Sequence, residues 1–242
     1  MNVLVTGHKG FIGQHLMKYL PEAEGFDIKD DNDVEFDKLP KADVYVHLAA
    51  EPSVQKSVDD PLDTYYNNVI GTLKVLEACR KGYGKIIFAS SAQAAPDAPN
   101  PYALQKYHCE GLIELYARLY GVRYTILRLY NVFGEGEHGV IGSFLLSDED
   151  DGPLLVYGGQ QRRDFIHVDA VVRTIISHLS DKQSGLFHVG SGTNVSVQEI
   201  ADMISSNQIH SELPKGEPLE TLAPYGTPTI TVAEYLASRG EQ

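Results

Sequence analysis

A tyrosine and a lysine, Tyr102 and Lys106, stand four residues apart, the spacing that places two side chains on one face of a helix. A free phenol loses its proton near pH 10, so a tyrosine base at neutral pH needs its phenolate stabilised by about 4 kcal/mol. The ammonium of Lys106 is one source of that stabilisation. Taken alone, the pair is also compatible with a surface tyrosine beside a solvated lysine.

Two serines end a buried apolar run ahead of this helix, in Phe88-Ala-Ser-Ser-Ala92. Open parallel sheets bind ligands at the carboxyl edge of their strands, so a serine there can hydrogen-bond a reacting hydroxyl. For Ser90 we favour a structural role in capping the strand end. The expected catalytic set is therefore Ser91, Tyr102 and Lys106.

A glycine-rich turn, Gly7-His-Lys-Gly-Phe-Ile-Gly13, follows the first predicted strand and opens a helix. This context favours a cradle for the pyrophosphate of a dinucleotide over an ordinary turn. Asp27 is placed to accept both hydroxyls of the adenosine ribose and to repel a 2'-phosphate, which favours NAD over NADP. Lys9 favours NADP if it pairs with that phosphate, and is otherwise an ordinary exposed lysine.

The elements that must position these residues alternate along the chain. Strand-like runs lie at 3–6, 43–47, 85–89 and 123–128, and helical patterns at 11–20, 61–81 and 101–120. This alternation predicts an α/β fold with a doubly wound parallel sheet, the Rossmann fold.

The second half of the chain is less regular. A glycine-rich, acidic loop is predicted after Asn131, including residues 148–151. A helix near 169–179, a strand at 186–189 and a helix opened by a capping box at Ser196-Val-Gln-Glu199 are predicted to follow. The segment 205–242 gives no clear pattern.

Composition excludes several function classes. A net charge of -13 argues against general binding to nucleic acids or anionic membranes. Cys79 and Cys109 both lie in helical patterns, which suits free thiols in a reducing compartment, and a cytoplasmic location is expected. Neither a cleavable leader nor a membrane-spanning segment is expected.

The joint pattern resembles the extended short-chain dehydrogenase/reductase family, and within it the NAD-dependent nucleotide-sugar epimerase/dehydratase branch. The resemblance covers the chain up to about residue 204. It is carried by Thr6-Gly-His-Lys-Gly-Phe-Ile-Gly13, His47-Leu-Ala-Ala50, Asn68-Val-Ile-Gly-Thr72, Ser90-Ser-Ala92, Pro101-Tyr102 with Lys106, Arg128-Leu-Tyr-Asn-Val-Phe-Gly134, Arg163-Asp-Phe-Ile-His-Val-Asp169 and His188-Val-Gly190.

The resemblance implies that Tyr102 is the general base or acid, that Lys106 holds the nicotinamide ribose and that Ser91 assists at the substrate hydroxyl. A hydride would pass between a sugar carbon, usually C4, and the nicotinamide. The resemblance also places Asp33 and Val34 at the adenine, and Ala49, Ala50 and Asn68 along the cofactor. Together with the glycine-rich turn and the ribose carboxylate, the expected cofactor-binding residues besides Tyr102 and Lys106 are Gly7, Lys9, Gly10, Phe11, Ile12, Gly13, Asp27, Asp33, Val34, Ala49, Ala50 and Asn68.

Two further residues, Asn131 and Arg163, resemble positions that hold the diphosphate of the substrate, for which a guanidinium is well suited. From the residues alone, Asn131 can also be a turn residue, and Arg163 can instead pair with Asp164 or Asp169. His47 and His167 are expected to be core or strand-end histidines.

Departures from the family pattern reduce the number of reactions that this chain is expected to catalyse. Dehydratases of this branch carry an Asp-Glu pair, and decarboxylases a Glu, just after the serine or threonine, where this chain has Ala92 and Gln93. Members that epimerise other carbons have a cysteine after the serine. The two activities that remain are epimerisation at C4 and reduction of a keto-sugar.

Two other departures affect the substrate pocket. Only eleven positions separate Ser91 from Tyr102, so we expect the pocket to be reshaped or more open. The segment Gly216-Glu-Pro-Leu-Glu220 stands where many relatives have an arginine for the nucleotide, so part of the diphosphate clamp is expected to be missing.

The expected organisation is a dinucleotide-binding domain at 1–130 plus about 160–190, and a small substrate-binding lobe at 131–159 and 191–242. The expected partners are a nucleotide-sugar and a second copy of the chain, paired through the helix of Tyr102 and the one before it, with no metal, nucleic acid or membrane. Two alternatives stay open. One is an NAD(P)-dependent reductase of another carbonyl compound, and the other is a dinucleotide-sensing or RNA-associated protein without the chemistry.

Overall fold

The computed structural model describes residues 1–34, 38–82 and 84–239. The strands are β1 (Val3–Thr6), β2 (Glu24–Phe26), β3 (Val44–His47), β4 (Lys85–Ser91), β5 (Arg123–Leu129), β6 (Asn131–Phe133), β7 (Leu154–Tyr157), β8 (Arg162–Arg163), β9 (Phe165–His167), β10 (Gly185–Val189), β11 (Val195–Ser196) and β12 (Gln208–Ser211). The α-helices are α1 (Phe11–Tyr19), α2 (Val54–Asp59), α3 (Pro61–Tyr65), α4 (Gly71–Gly82), α5 (Pro101–Tyr120), α6 (Val140–Glu149), α7 (Val168–Ser177), α8 (Val197–Ile204) and α9 (Val232–Arg239).

Two compact units divide the chain, the first formed by Met1–Arg128 and Val172–Phe187, and the second by Leu129–Val171 and His188–Gln242. Residues 160–171, which were expected in the dinucleotide-binding domain, thus fall in the second unit. The reason is strand pairing: β8 pairs with β11, and β9 pairs with β6.

A six-stranded sheet with strand order β10-β5-β4-β3-β1-β2 forms the centre of the first unit. The β2-β1, β1-β3 and β3-β4 pairs are parallel, and the strands alternate with helices, so the predicted α/β fold with a doubly wound sheet is confirmed. Leu4, Tyr45, Ile86 and Ile126 are buried in its core, as expected for strands covered on both faces.

The predicted helix at 101–120 is confirmed as α5. The Asn100 side chain accepts a hydrogen bond from the Ala103 N–H at 2.9 Å, Pro101 occupies the first turn, and Gly121 ends the helix with a φ of 69°. The capping box at Ser196 and Glu199 is also confirmed, at the start of α8. The predicted helix at 61–81 is instead three segments, α3, a π-helical turn at Tyr66–Ile70, and α4.

The loop predicted after Asn131 is wrong in part, because α6 occupies Val140–Glu149. Its Ile141 and Phe144 are buried in a core of the second unit. The Glu137 carboxylate accepts hydrogen bonds from the N–H groups of Gly139 and Gly142, which satisfies donors at the start of the helix. This helix was not predicted from the sequence because glycines and acidic residues surround its short apolar face.

Within the described residues, no helix has the length and apolar character needed to cross a membrane.

Candidate active site

A cavity of about 290 Å³ lies beside the glycine-rich turn that joins β1 to α1. Seven residues expected at the cofactor line it: Gly7, Gly10, Asp27, Asp33, Val34, Ala49 and Ala50. Sequence reasoning missed its other lining residues, which are Ile28, Lys29, Asn32, His47, Leu48, Pro52 and Asn67. Most of the missed residues adjoin expected ones along the chain, so they belong to the same loops.

Two glycines of the turn, Gly7 and Gly13, stand where a side chain would not fit. Gly7 has a φ of +73°, and a Cβ there would lie 2.6 Å from the Ala49 nitrogen. A Cβ on Gly13 would lie 2.3 Å from the Gly7 carbonyl oxygen, so α1 packs directly onto the turn. The N-cap residue of α1 is Gly10, which has no side chain to accept the first N–H groups of the helix, so these are available to an anion. These features fit the pyrophosphate of a dinucleotide.

The Asp27 carboxylate is buried and held by backbone. One oxygen accepts the N–H of Lys9 at 2.9 Å, and the other accepts the N–H of Lys29 at 3.0 Å. Each oxygen keeps a lone pair with which it can accept a ribose hydroxyl. The ammonium of Lys9 is paired with Asp30, which also lies 3.2 Å from Nε2 of His8. Lys9 itself does not line the cavity.

Asn68 was expected to line the cofactor, but its side chain is buried and forms hydrogen bonds with other residues of the protein. It donates to the Glu51 carbonyl at 3.1 Å and to Oε1 of Gln105 at 2.7 Å, and it accepts the Glu51 N–H at 2.8 Å. It therefore ties the segment after β3 to α5, and its neighbour Asn67 lines the cavity instead.

Tyr102 and Lys106 lie together at the start of α5, above the end of β4. The Lys106 ammonium donates to the Ala89 carbonyl at 2.9 Å. It lies 5.7 Å from the centroid of the Tyr102 ring and 4.9 Å from that of Phe88. The spacing inferred from the sequence thus brings the phenol and the ammonium together.

Burial acts on both groups in opposite directions. It raises the pKa of Tyr102 to about 12 and lowers the pKa of Lys106 to about 8, although Cys109 and Glu110 oppose the second shift. At neutral pH Tyr102 is therefore a phenol and Lys106 is mainly an ammonium. A tyrosine base here needs additional positive charge close to its hydroxyl.

Ser57 positions the start of α5 and had no recognisable sequence signal. Its buried hydroxyl accepts the Tyr102 N–H at 3.1 Å and donates to the Val54 carbonyl at 2.7 Å. The bond joins residues that are 45 positions apart, so no local pattern reveals it. It fixes the backbone of the tyrosine directly.

The two serines of β4 differ in their contacts. The Ser91 hydroxyl lies at the end of the strand and accepts the Gln93 N–H at 3.2 Å. Ser90 has the expected structural role, although its buried hydroxyl donates to Oε1 of Glu110 at 2.6 Å in place of capping the strand end. Side chains of successive strand residues point to opposite faces, which separates the two hydroxyls.

Glu110 is the centre of a network that no sequence pattern indicated. Besides Ser90, its carboxylate binds the Arg128 guanidinium through two hydrogen bonds of 2.9 and 2.7 Å. This bidentate pair joins α5 to β5, one helical turn beyond Lys106.

His47 is a core histidine, as expected. It is 1% exposed, and its ring nitrogens lie 2.7 Å from the Thr6 hydroxyl and 3.1 Å from the Thr72 hydroxyl. Burial, aided by the charge of Lys106, lowers the pKa of His47 to about 3, so the ring is neutral at physiological pH. His167 is the last residue of β9, which fits the expected strand-end position.

A second cavity, of about 280 Å³, lies within the second unit and contains both Asn131 and Arg163. Its other lining residues are Val140, Leu155, Tyr157, Gln161, Val197, Leu213, Pro214 and Glu217. The carboxylate partner of Arg163 is Glu217, at 3.2 Å, so pairing with Asp164 or Asp169 is wrong. Asp164 instead accepts the N–H groups of Ser191, Gly192 and Ala223.

Glu217 belongs to the segment 216–220, where part of the diphosphate clamp was expected to be missing. That segment contributes a carboxylate to the cavity instead of a cation. Burial lowers the pKa of Arg163 and the charge of Glu217 partly restores it. A diphosphate that approaches Arg163 must therefore compete with this carboxylate.

The model of the NAD dependent epimerase/dehydratase family matches residues 3–190. The chain belongs to this family. It is 35% identical over 247 residues to the putative UDP-glucose 4-epimerase of Methanocaldococcus jannaschii, a match that covers 84% of this chain and 81% of that protein.

Solved structures agree with this assignment. UDP-glucose 4-epimerase of Thermotoga maritima, solved with UDP-glucose, is 26% identical with a TM-score of 0.89, covering 98% of this chain and 96% of that chain. MoeE5 in complex with UDP-glucose and NAD is 26% identical with a TM-score of 0.91, covering 100% and 98% of the two chains. The family resemblance and the Rossmann fold expected from the sequence are confirmed.

Proposed function

We propose that this protein is an NAD-dependent epimerase that inverts C4 of the sugar in a nucleotide-sugar. The observation that carries the proposal is the combination, within the first unit, of a glycine-lined dinucleotide cavity with the paired Tyr102 and Lys106. The names of the relatives, which are UDP-glucose 4-epimerases among others, support the same reaction.

The residues around the first cavity fit NAD. The open start of α1 would bind the pyrophosphate, and the free lone pairs of Asp27 would accept the hydroxyls of the adenosine ribose. Bound NAD would supply the means of removing a hydride from C4 and returning it. A neighbouring structure that holds NAD supports this choice of cofactor.

In this mechanism, Tyr102 takes the proton from the C4 hydroxyl during oxidation and returns it during reduction. Burial raises the pKa of Tyr102 to about 12, so the charge of Lys106 and the positive charge of an oxidised nicotinamide must lower it when the site is loaded. Lys106 is anchored by the Ala89 carbonyl and keeps its ammonium beside the phenol. Ser91 would hydrogen-bond the same substrate hydroxyl.

Inversion requires the 4-keto sugar to turn over before it is reduced. Asn131 and Arg163 are proposed to hold the diphosphate throughout, so that the sugar alone rotates. Dehydration is disfavoured because the residue after Ser91 is Ala92, while the amide oxygen of Gln93 accepts a hydrogen bond from Asn100 at 3.1 Å. Neither side chain can move a proton.

The test uses the purified chain with NAD and a panel of UDP-, dTDP-, GDP- and CDP-sugars. Product sugars are separated by chromatography while NADH absorbance is followed, and Tyr102→Phe is the matched control. We expect one sugar to be converted without net NADH, with at least about a hundredfold loss in the variant.

Two other results would change the assignment. Net consumption of NADH with a keto sugar would identify a reductase in place of an epimerase. Cofactor binding without turnover of any sugar would contradict the nucleotide-sugar assignment and favour a dinucleotide sensor. A homodimer and a cytoplasmic location stay predictions.

A further inference from the structure

Asp30 joins two basic residues of the glycine-rich turn. Its carboxylate forms an ion pair with the Lys9 ammonium, and its other oxygen lies 3.2 Å from Nε2 of His8. Asp30 ends a short 3-10 turn, Ile28–Asp30, that begins directly after β2 and is capped by Asp27. The contact therefore fastens the turn after β2 to the glycine-rich turn after β1.

Lys9 is close to the carboxylate that would meet the adenosine ribose. Its backbone N–H donates to Asp27 at 2.9 Å, and its carbonyl accepts from the Lys29 ammonium at 3.4 Å. The Lys9 side chain is 40% exposed, so its four-carbon stem can reorient if its partner is removed. Two cations thus lie at this end of the cavity: Lys29, which lines it, and Lys9, whose backbone contacts Asp27 and whose ammonium is already paired.

Asp27 is one barrier to NADP, because its carboxylate would repel a 2'-phosphate. Both of its oxygens accept backbone N–H groups, which hold the carboxylate in place. A lysine ammonium beside the same site would attract a phosphate dianion and oppose this barrier. The net preference therefore depends also on whether Lys9 is neutralised.

We propose that Asp30 is a specificity-determining residue that selects NAD by neutralising Lys9, which would otherwise bind the 2'-phosphate of NADP. The inference rests on the proposed function only for the identity of the ligand in the first cavity. It assigns to Asp30 a role separate from the acceptance of ribose hydroxyls by Asp27.

The test measures the dissociation constants of NAD and NADP by titration calorimetry for the whole chain. Asp30→Asn keeps the size of the side chain and releases Lys9. Asp31→Asn is the matched control, because it removes the same charge one position later. Asp31 is exposed and has a φ of 58°, a conformation that asparagine accepts readily. The double variant Asp30→Asn with Lys9→Met removes the released cation.

We expect Asp30→Asn to bind NADP about tenfold more tightly than the wild type, with NAD affinity changed by less than about twofold. The gain should shrink at 0.5 M salt because the lysine is exposed. Asp31→Asn should change NADP affinity by less than about twofold, and the double variant should lose the gain.

Three results would overturn the inference. An unchanged NADP affinity in Asp30→Asn, or an equal gain in Asp31→Asn, would show that Asp30 does not act through Lys9. Loss of both cofactors in Asp30→Asn would show that the contact is only structural. If the wild type binds NAD, each of these outcomes leaves the proposed function standing. If it binds neither cofactor, the proposed function fails together with the inference.

Discussion

The guanidinium of Arg163 and the carboxylate of Glu217 form an ion pair of 3.2 Å in the cavity of the second unit. Arg163 is buried, so losing this carboxylate without replacement would leave a poorly solvated cation. A diphosphate is the kind of anion that can replace it with bidentate hydrogen bonds. The pair therefore lowers the affinity of this cavity for a ligand that must displace Glu217 from Arg163.

Glu217→Gln is expected to bind UDP about five- to tenfold more tightly than the wild type, because the phosphate no longer displaces a carboxylate. Titration calorimetry with UDP measures this directly. Glu212→Gln, at an exposed residue five positions before Glu217, should have little effect, and Arg163→Met should abolish the binding. Weaker binding in Glu217→Gln would mean that Glu217 contacts the ligand itself.

Ser57→Ala is expected to lower turnover about three- to tenfold, since the backbone N–H of Tyr102 loses its acceptor and the phenol is less well positioned. Ser53→Ala is the matched control, because Ser53 caps α2 by accepting the Lys56 N–H at 3.0 Å. Both variants should lose about 1 kcal/mol of unfolding free energy. Steady-state kinetics and urea unfolding separate the two effects, and equal turnover in both variants would refute the positioning role.

Glu110→Gln is expected to reduce the free energy of unfolding by about 3 kcal/mol, because it removes the charge that balances Arg128 and replaces one of the two acceptor oxygens with an NH2 group. Glu114 lies one turn later on α5 and is exposed, so Glu114→Gln should change stability by less than about 0.5 kcal/mol. Denaturant unfolding measures both. Similar stabilities for the two variants would show that the network contributes little.

His47 makes the protein acid-sensitive. Its pKa is about 3 in the fold and near 6.5 when unfolded, so between these values the unfolded chain binds the extra proton. Stability from neutral His47 is complete above about pH 6.5 and is lost as pH falls towards 3, reaching a loss of about 3 kcal/mol by about pH 4.5.

His47→Gln, which cannot gain this proton, should lose less stability than the wild type between about pH 6.5 and 4.5 in urea unfolding experiments. His210→Gln, at an exposed histidine, should follow the wild type. Parallel pH profiles for wild type and His47→Gln would mean that the ring is protonated in the folded protein.

Parts of the fold and the site follow from patterns that are local in the chain. Alternating strands and helices predict the sheet, and Asn100, Pro101 and Gly121 set the limits of α5. The glycine-rich turn and the four-residue spacing of Tyr102 and Lys106 depend on neighbours only, so the residue types and their order are enough to recognise both. The short helix α6 was missed because its apolar face is brief and lies among glycines and acidic residues.

The sequence by itself determined the fold class, the family and the pair formed by Tyr102 and Lys106. Only the tertiary structure decided which groups contact the candidate site residues and their neighbours. Ser57 accepts the N–H of Tyr102, Glu110 pairs with Arg128, Asp30 pairs with Lys9, and Glu217 pairs with Arg163. The Arg163 and Glu217 partners are 54 positions apart. Helical and strand periodicities relate residues only a few positions apart, whereas these contacts depend on how separate elements pack and on which charges burial forces to pair.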